Sequence, residues 1–146
     1  YNHESPRRTE HYVTRKITRS VARIKAGLQD KLYLGDLSAL IDWGYAREYM
    51  DAAWKILQLD TPDTFIIGTG EVHSVKDFVD EAFAYADLDP ARFVESKADL
   101  LRPAQNGVLR ANIAKARAAF GFEPQFKFKK LVKIMMDHDL ADVKAR

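Results

Sequence analysis

The apolar positions of this chain recur mostly at the spacing of amphipathic helices. After Thr9 they fall three or four residues apart, and the predicted helix runs towards Gly27, a residue type that commonly ends helices. The apolar positions of this first helix are Val13, Ile17, Val21, Ile24 and Leu28. Its other faces carry arginines and lysines, most of which we interpret as a solvated surface.

The second predicted helix covers residues 43–59 and is capped by Asp42, whose carboxylate can accept a backbone N–H. Its apolar positions form two rows, Tyr45, Tyr49, Ala53 and Ile56 beside Ala46, Met50, Trp54 and Leu57. Two adjacent rows predict a wide buried face. We therefore interpret its aromatic residues as core rather than as a stacking surface for a base.

Three more helices are predicted from capping residues and apolar spacing. Ser74 and Asp77 stand three positions apart, which is the spacing of a capping box. A later helix carries Ala116 and Phe120 on its apolar side and ends at Gly121. The residues expected to cap or begin the three helices are Ser74, Asn112 and Phe128.

Three short segments between the helices predict strands. Residues 31–34 and 92–95 are brief runs of strand-forming residues. Residues 64–68 are continuously apolar up to the glycine, which is typical of a strand buried on both faces of a parallel sheet. Strands that alternate with helices predict an α/β fold, although so few strands make only a thin sheet.

Composition and charge say more about the possible partners of this chain than about its fold. The chain has 146 residues, the size of one domain, with 47% hydrophobic residues, 30% charged residues and a net charge of +2. Its basic helix face is not continued by aromatic or further basic residues, so we expect no nucleic-acid partner. No apolar run is long enough to span a bilayer, and we expect no membrane partner and a cytoplasmic location. Without cysteine, and with four scattered histidines, we expect no metal centre.

The densest hydrogen-bonding chemistry lies in residues 2–8, which we call the polar segment. It combines the amide of Asn2, the ring of His3, the hydroxyl of Ser5 and the guanidinium groups of Arg7 and Arg8. Such a set suits phosphate and ribose, because a guanidinium can donate to two anionic oxygens at once. From the residue types alone, a solvated basic loop stays an equal alternative.

Two cations outside the polar segment are further candidates for anion contacts. Lys16 lies in the first turns of the first predicted helix, close in sequence to the polar segment. Arg102 precedes Pro103, and a residue before proline avoids the helical conformation.

Several motifs together resemble the C-terminal half of the GDP-mannose 4,6-dehydratase family, a branch of the extended short-chain dehydrogenases. They are NHESPRR, VTRKITR, LYLGDL, DWGYAREYMDAAW and a later RP. The resemblance runs from residue 1 to about residue 139. NHESPRR is the most specific of the motifs, because seven mostly polar residues in fixed order seldom match by chance.

The resemblance implies a fold and a division of the chain. It implies the C-terminal part of an NAD(P)-binding, Rossmann-like extended short-chain dehydrogenase, consisting mostly of the small α/β substrate-binding domain. Residues 1–73 would link and complete the nucleotide-binding sheet and carry a substrate-site loop and helix, and residues 74–146 would form the small domain. The chain begins with tyrosine inside a motif and has no glycine-rich dinucleotide fingerprint, so we expect a missing N-terminal half of the same protein.

The resemblance also implies an activity, which is the NADP-dependent conversion of GDP-mannose, or a related nucleotide sugar, to the 4-keto-6-deoxy sugar and water. His3 and Arg8 match the family's contacts to NADP. The positions that match contacts to the GDP part of the substrate are Asn2, Val13, Lys16 and Arg102. The family's catalytic residues precede NHESPRR, so we expect none in this chain and no turnover by the chain alone. Members of the family usually assemble as homo-oligomers.

Two departures from the family pattern keep alternatives open. Ile41 stands where the family usually has an arginine, and Gln105 stands where it has a glutamate. A missing cation and a missing carboxylate both weaken the recognition of GDP. The alternatives are another extended short-chain epimerase, reductase or dehydratase of nucleotide sugars, and a non-catalytic fragment that binds nucleotide sugars.

Overall fold

A computed structural model describes residues 1–100 and 108–145, apart from the side chain of Ala98. The helices of this part of the chain are α1 (Val13–Lys25), α2 (Ala46–Leu57), α3 (Val75–Tyr85), α4 (Ala114–Phe120) and α5 (Phe128–Lys144), with short 3₁₀ helices at Pro90–Arg92 and Ala98–Leu100. The strands are β1 (Asn2–Glu4), β2 (Leu32–Leu34), β3 (Leu40–Ile41), β4 (Trp43–Tyr45), β5 (His73–Ser74) and β6 (Val94–Ser96).

The strands pair two by two. β1 runs parallel to β4 and β2 runs parallel to β6, whereas β3 is antiparallel to β5. Both parallel pairs are joined by long connections that contain helices, as parallel pairing requires. The α/β character predicted from the sequence is therefore confirmed, and so is the thinness of the sheet within the described residues.

The main core lies where α1, α3 and α5 pack against one another and against β2. Its fully buried large side chains include Ile17, Val21, Phe78, Phe83, Leu131 and Met135. Each such side chain contributes about 1.5 to 3 kcal/mol through removal of apolar surface from water. A second, smaller core joins α2 to α4 around Tyr49, Ala116 and Phe122.

Several local predictions are confirmed. The Ser74 hydroxyl accepts the backbone N–H of Asp77 at 3.0 Å, and the Asp77 carboxylate accepts the N–H of Ser74 at 2.8 Å, which completes a capping box at α3. Gly121 ends α4 with a left-handed φ of 67°, a conformation that suits glycine. Helix α5 begins at Phe128 as predicted.

The predicted capping role of Asp42 is wrong, because a strand, β4, separates this residue from α2. The Asp42 carboxylate instead accepts hydrogen bonds from Thr69, Gly70 and Ala111, all between 2.6 and 3.2 Å. The side chain is 1% exposed. A buried carboxylate needs several donors, and the two backbone turns that supply them lie far away in sequence.

The predicted wide buried face of α2 is also wrong within the described chain. Tyr49 and Ala52 are buried, but Met50, Trp54 and Leu57 are 59%, 63% and 80% exposed. The three exposed residues follow one another at helical spacing, and we call them the apolar stripe of α2. Similarly, Leu28 is exposed because the helix ends before Gly27, whose φ is 72°.

Residues 64–68 form no strand with any other described residue. Phe65 packs edge-to-face on Phe120, with ring centroids 5.2 Å apart, and Ile66 stays exposed. The predicted strand is therefore not formed, because no neighbouring strand is available to it. No helix of the described ranges is long and apolar enough to cross a membrane.

Candidate functional site

The polar segment forms a continuous unit with the start of α1. Its first three residues are β1, which pairs with β4 so that His3 lies opposite Gly44. A turn follows, in which the Arg8 N–H donates to the Ser5 carbonyl at 3.0 Å and the Arg7 N–H donates to the Ser5 hydroxyl at 3.2 Å. Five of the six predicted site residues therefore lie on one strand–turn–helix unit.

His3 is exposed to solvent, and one side of its ring contacts other residues of the chain. Its Nδ1 lies 3.2 Å from the carbonyl oxygen of Tyr1, which can only accept, so Nδ1 carries a hydrogen, and in the neutral ring Nε2 is then an acceptor. The ring centroid lies 5.5 Å from that of Tyr49 on α2. Burial raises the pKa of the Tyr49 hydroxyl well above its usual value, with nearby Asp42 adding to the effect, so Tyr49 is a neutral support.

Arg8 is held on several sides. Its Nε lies 3.4 Å from the Glu4 carboxylate, a distance and geometry that make an ion pair rather than an aligned hydrogen bond. Its Cζ lies 3.5 Å from the ring centroid of Tyr12, and its carbonyl oxygen accepts the Nε–H of Arg15 at 3.1 Å. The guanidinium is therefore held in one place within the polar segment.

The partner of Arg8 on the inner side is a buried carboxylate. Glu4 is 3% exposed and accepts the Thr14 hydroxyl at 2.7 Å. Burial raises the pKa of Glu4, and the hydrogen bond from Thr14 and the charge of Arg8 act in the opposite direction. Thr14 belongs to the first turn of α1, so this contact also fixes the helix start relative to β1.

Lys16 lies one turn into α1, next to the half-buried Val13 on the same side of the helix. The Lys16 ammonium donates to the carbonyl oxygen of Tyr33 at 2.6 Å. It forms no ion pair with any described residue, so its positive charge is not neutralised by a carboxylate from this part of the chain.

Of the remaining positions singled out in the sequence, the structure describes only Ile41. Arg102 and Gln105 both lie outside the described residues. Ile41 is half-buried in β3 and packs against the main core, with a parallel bridge to Leu109. The position therefore has an apolar environment in this chain.

Sequence reasoning missed three residues close to the predicted set. Glu4 and Arg8 are brought together by the turn that follows β1, and since no helix was predicted over these residues, their spacing gave no signal for the contact. The only signal for Tyr12 was its position near the start of the first predicted helix. Lys97 places its ammonium 3.7 Å from the ring centroid of Tyr33, and this contact depends on the pairing of β6 with β2, which no local pattern reveals.

An open cleft among the described residues lies elsewhere. It has a volume of about 440 Å³ and is lined mainly by the turn around Gly70, by Arg110 and Asn112, and by Lys127. It is wide open to solvent and contains none of the predicted site residues. Nowhere in residues 1–100 and 108–145 do three potential metal ligands of the histidine or acidic type come together.

Solved structures define the class of this fold. RMD from Pseudomonas aeruginosa, solved with NADPH, has a TM-score of 0.86 at 19% identity, covering 97% of this chain and 46% of that one. The dTDP-glucose 4,6-dehydratase of Bacillus anthracis, solved with NAD, has a TM-score of 0.82 at 16% identity, covering 98% and 43%. The fold is that of part of an extended short-chain dehydrogenase or epimerase of the Rossmann type.

Sequence comparison identifies the family within this class. The chain belongs to the GDP-mannose 4,6 dehydratase family, whose model matches residues 1–135. It is 48% identical over 140 residues to GDP-mannose 4,6 dehydratase 2 of Arabidopsis thaliana, and 38% identical over 157 residues to GDP-mannose 4,6 dehydratase of Homo sapiens. Both alignments cover 96% of this chain, but only 38% and 42% of the two relatives. The chain thus spans about two fifths of their length.

Proposed function

We propose that this chain is the C-terminal portion of an NADP-dependent GDP-mannose 4,6-dehydratase, which converts GDP-mannose into GDP-4-keto-6-deoxymannose and water. Membership of the family and the names of its relatives support the proposal. The observation that carries it is the polar segment, where Arg8 is fixed between Glu4 and Tyr12 beside the exposed His3.

His3 and Arg8 are the proposed cofactor contacts. NADP held by these residues would supply the hydride acceptor and donor of the reaction. The donors of this chain fit such a dinucleotide, because the guanidinium of Arg8 suits an anionic oxygen and the Nε2 of His3 can accept a hydroxyl proton. NADPH and NAD in the two solved structures support a nicotinamide cofactor at this fold.

Asn2, Val13, Lys16 and Arg102 are the proposed contacts to the GDP part of the substrate. Lys16 suits a diphosphate, since it carries a positive charge without a carboxylate partner in the described chain. A charge-assisted hydrogen bond of this kind is worth about 1.5 to 3 kcal/mol. The half-buried Val13 on the same side of α1 supplies an apolar contact.

An N-terminal half with the catalytic groups is the proposed partner of this chain. The apolar stripe of α2 and the side chain of Ile66 are exposed, and we assign both to the contact with this partner. The ammonium of Tyr1 donates to the carbonyl oxygen of Ile67 at 3.0 Å, so the polar segment and residues 64–68 lie side by side. We assign residues 1–73 to completion of the nucleotide-binding sheet and to the site loop and helix, and residues 74–146 to the small substrate-binding domain. We further propose that the whole protein is a cytoplasmic homo-oligomer.

The test joins this chain to the preceding portion of the Arabidopsis relative and measures conversion of GDP-mannose by mass spectrometry. We expect the fusion to release GDP-4-keto-6-deoxymannose and the chain alone to release none. Replacement of Arg8 by alanine in the fusion should weaken NADP⁺ binding about tenfold or more. Turnover by the chain alone, or a folded fusion that binds no NADP⁺, contradicts the proposal. An epimerised or reduced product points instead to another nucleotide-sugar enzyme.

A further inference from the structure

Arg8 is half-buried and is constrained at its backbone and at its guanidinium. Its backbone N–H is bonded to Ser5, its backbone carbonyl to Arg15, its Nε faces Glu4, and one face of its guanidinium lies against Tyr12. An arginine side chain free in solution loses rotamer entropy when it is immobilised. In this chain, folding has already removed the rotamer entropy of Arg8 before a ligand binds.

Glu4 is itself anchored from both ends. Its backbone pairs with Tyr45 in the β1–β4 ladder, and its carboxylate accepts the hydroxyl of Thr14 on α1. A carboxylate that is 3% exposed is stable only beside such partners. The position of the negative charge is therefore set by the fold, and the charge in turn sets the direction of the Arg8 guanidinium.

The two terminal nitrogens of Arg8 are left for a ligand. They donate no hydrogen bond to any residue in the described ranges, whereas the inner Nε is buried beside Glu4. Tyr12 covers one face of the guanidinium plane, so a ligand can approach its outer edge or its other face. This is the geometry of a pre-oriented fork for an anionic oxygen pair.

We propose that Glu4 and Tyr12 are positioning residues for Arg8, holding its guanidinium towards an anionic group of the bound dinucleotide. This inference rests on the proposed function for the identity of the ligand. The proposed role of Glu4 in anion binding is opposite to the role that its charge alone predicts. Coulomb's law alone makes Glu4 unfavourable for anion binding, because its negative charge offsets that of Arg8. If Glu4 acts by placement, its neutralisation weakens binding instead.

The binding experiment is a double-mutant cycle on the fusion described above, with NADP⁺ affinity measured by calorimetry. We expect Glu4→Gln and Tyr12→Leu each to weaken NADP⁺ binding about five- to tenfold, and Tyr12→Phe, which keeps the ring, to leave it unchanged. In an Arg8→Ala background neither Glu4→Gln nor Tyr12→Leu should have a further effect. Glu10→Gln removes the same charge from an exposed position that contacts Arg19 and Arg23, and is the matched control.

A second readout does not need the cofactor. In the ¹⁵N-labelled 146-residue chain, the Nε–H signal of Arg8 should be protected from solvent exchange, and Glu4→Gln should remove that protection while Glu10→Gln leaves it. Tighter NADP⁺ binding by Glu4→Gln, an equal loss with and without Arg8, or an unprotected Nε–H in the unaltered chain each overturns the proposal. A fusion that binds no NADP⁺ counts against the proposed function, and the Nε–H comparison then decides the positioning role by itself.

Discussion

Arg15 on α1 and Asp139 on α5 form an ion pair in the interior of the protein. Their side chains are only 7% and 1% exposed, and the same Arg15 donates its Nε–H to the carbonyl of Arg8. The C-terminal helix is thereby connected through one guanidinium to the polar segment at the other end of the chain. The placement of Arg8 thus depends on the packing of α5 against α1.

Removal of the carboxylate from this pair should strongly destabilise the chain. Asp139→Asn leaves the buried Arg15 without its counter-charge, and we expect the free energy of unfolding to fall by about 3 to 5 kcal/mol. Urea unfolding followed by circular dichroism measures the change. The carbonyl contact to Arg8 should loosen at the same time, seen as faster amide exchange in the polar segment.

Asp137→Asn on the same helix is the matched control. Asp137 is half-exposed and pairs with Lys133, so its neutralisation should change stability by less than about 1 kcal/mol. The double variant Arg15→Met with Asp139→Leu removes both charges and should recover much of the loss. Equal effects of Asp139→Asn and Asp137→Asn would rule out a buried ion pair.

The buried carboxylate of Asp42 should be intolerant of amidation. It accepts the N–H groups of Thr69, Gly70 and Ala111. The NH₂ group of an asparagine in its place is itself a donor and would face these N–H donors. We expect Asp42→Asn to lower the free energy of unfolding by about 2 to 4 kcal/mol, from more than one lost or frustrated hydrogen bond.

The control for Asp42 is Asp36→Asn. Asp36 is exposed and, among the described residues, accepts from Ser38 alone, so its variant should lie within about 1 kcal/mol of the unaltered chain. Thermal unfolding of both variants under one buffer condition gives the comparison. A mild effect at Asp42 would mean that its donors find water instead.

The pH dependence of stability should reveal the burial of Glu4. Burial raises the pKa of Glu4 above its usual 4.5, so the folded chain holds this proton more tightly than the unfolded chain. The group therefore stabilises the fold below about pH 4.5, and its contribution is lost as the pH rises through the folded pKa. Compared with the unaltered chain, Glu4→Gln should gain relative stability as the pH rises from about 4.5 through the folded pKa of Glu4.

Asp77 should show the opposite trend. Its hydrogen bonds to Ser74 lower the pKa of its carboxyl below the usual 3.8. The contribution of Asp77 is present above about pH 3.8 and is lost as the pH falls through the folded pKa. Asp77→Asn should therefore lose relative stability as the pH rises from about 2 to 5. Urea unfolding across the two pH ranges tests both signs, and parallel trends for the two variants would contradict the assignment.

Gly44 should tolerate no side chain. A Cβ at this position would lie 2.3 to 2.6 Å from the hydroxyl and ring of the buried Tyr49. We expect Gly44→Ala to lower the free energy of unfolding by about 1 to 3 kcal/mol through overpacking, and to displace the ring beneath His3. Gly27→Ala meets no atom within 4 Å but requires φ of +72°, so its cost of about 1 kcal/mol should leave the His3 environment unchanged. Thermal unfolding and the His3 ring signals in NMR spectra distinguish the two variants.

The apolar stripe of α2 should matter for assembly with the N-terminal half and not for folding of this chain. Trp54→Glu alters an exposed side chain, so we expect the unfolding temperature of the isolated chain to change little. In the fusion, the same substitution should abolish or strongly reduce GDP-mannose conversion, because a charge would be buried at the interface. Lys55→Glu, at the neighbouring exposed position, is the control. A fully active Trp54→Glu fusion would place the partner surface elsewhere.

The helices could be predicted from the sequence because their determinants are local. The apolar spacing that defines α1 and α5 repeats every few residues, and the capping box of Ser74 and Asp77 closes within one turn. The polar segment was recognisable for the same reason, as a run of consecutive residues whose chemistry is independent of the fold.

The errors have a common cause in contacts between distant residues. Asp42 was taken for a helix cap because its partners at Thr69 and Ala111 lie 27 and 69 positions away. The apolar stripe of α2 predicted a buried face, but no described part of this chain covers it. Local patterns tell which residues are apolar, whereas the identity of the surface that covers them depends on the whole molecule.

By itself, the sequence determined the helices, the α/β class and the residues of the polar segment. Only the tertiary structure decided how that segment is held, since the direction of Arg8 follows from Glu4 on β1, Thr14 and Arg15 on α1, and Asp139 on α5. The physical reason is the range of the interactions. Periodicity and capping act within a few residues, but a buried carboxylate and a fixed guanidinium need partners that only the packing of separate elements brings together.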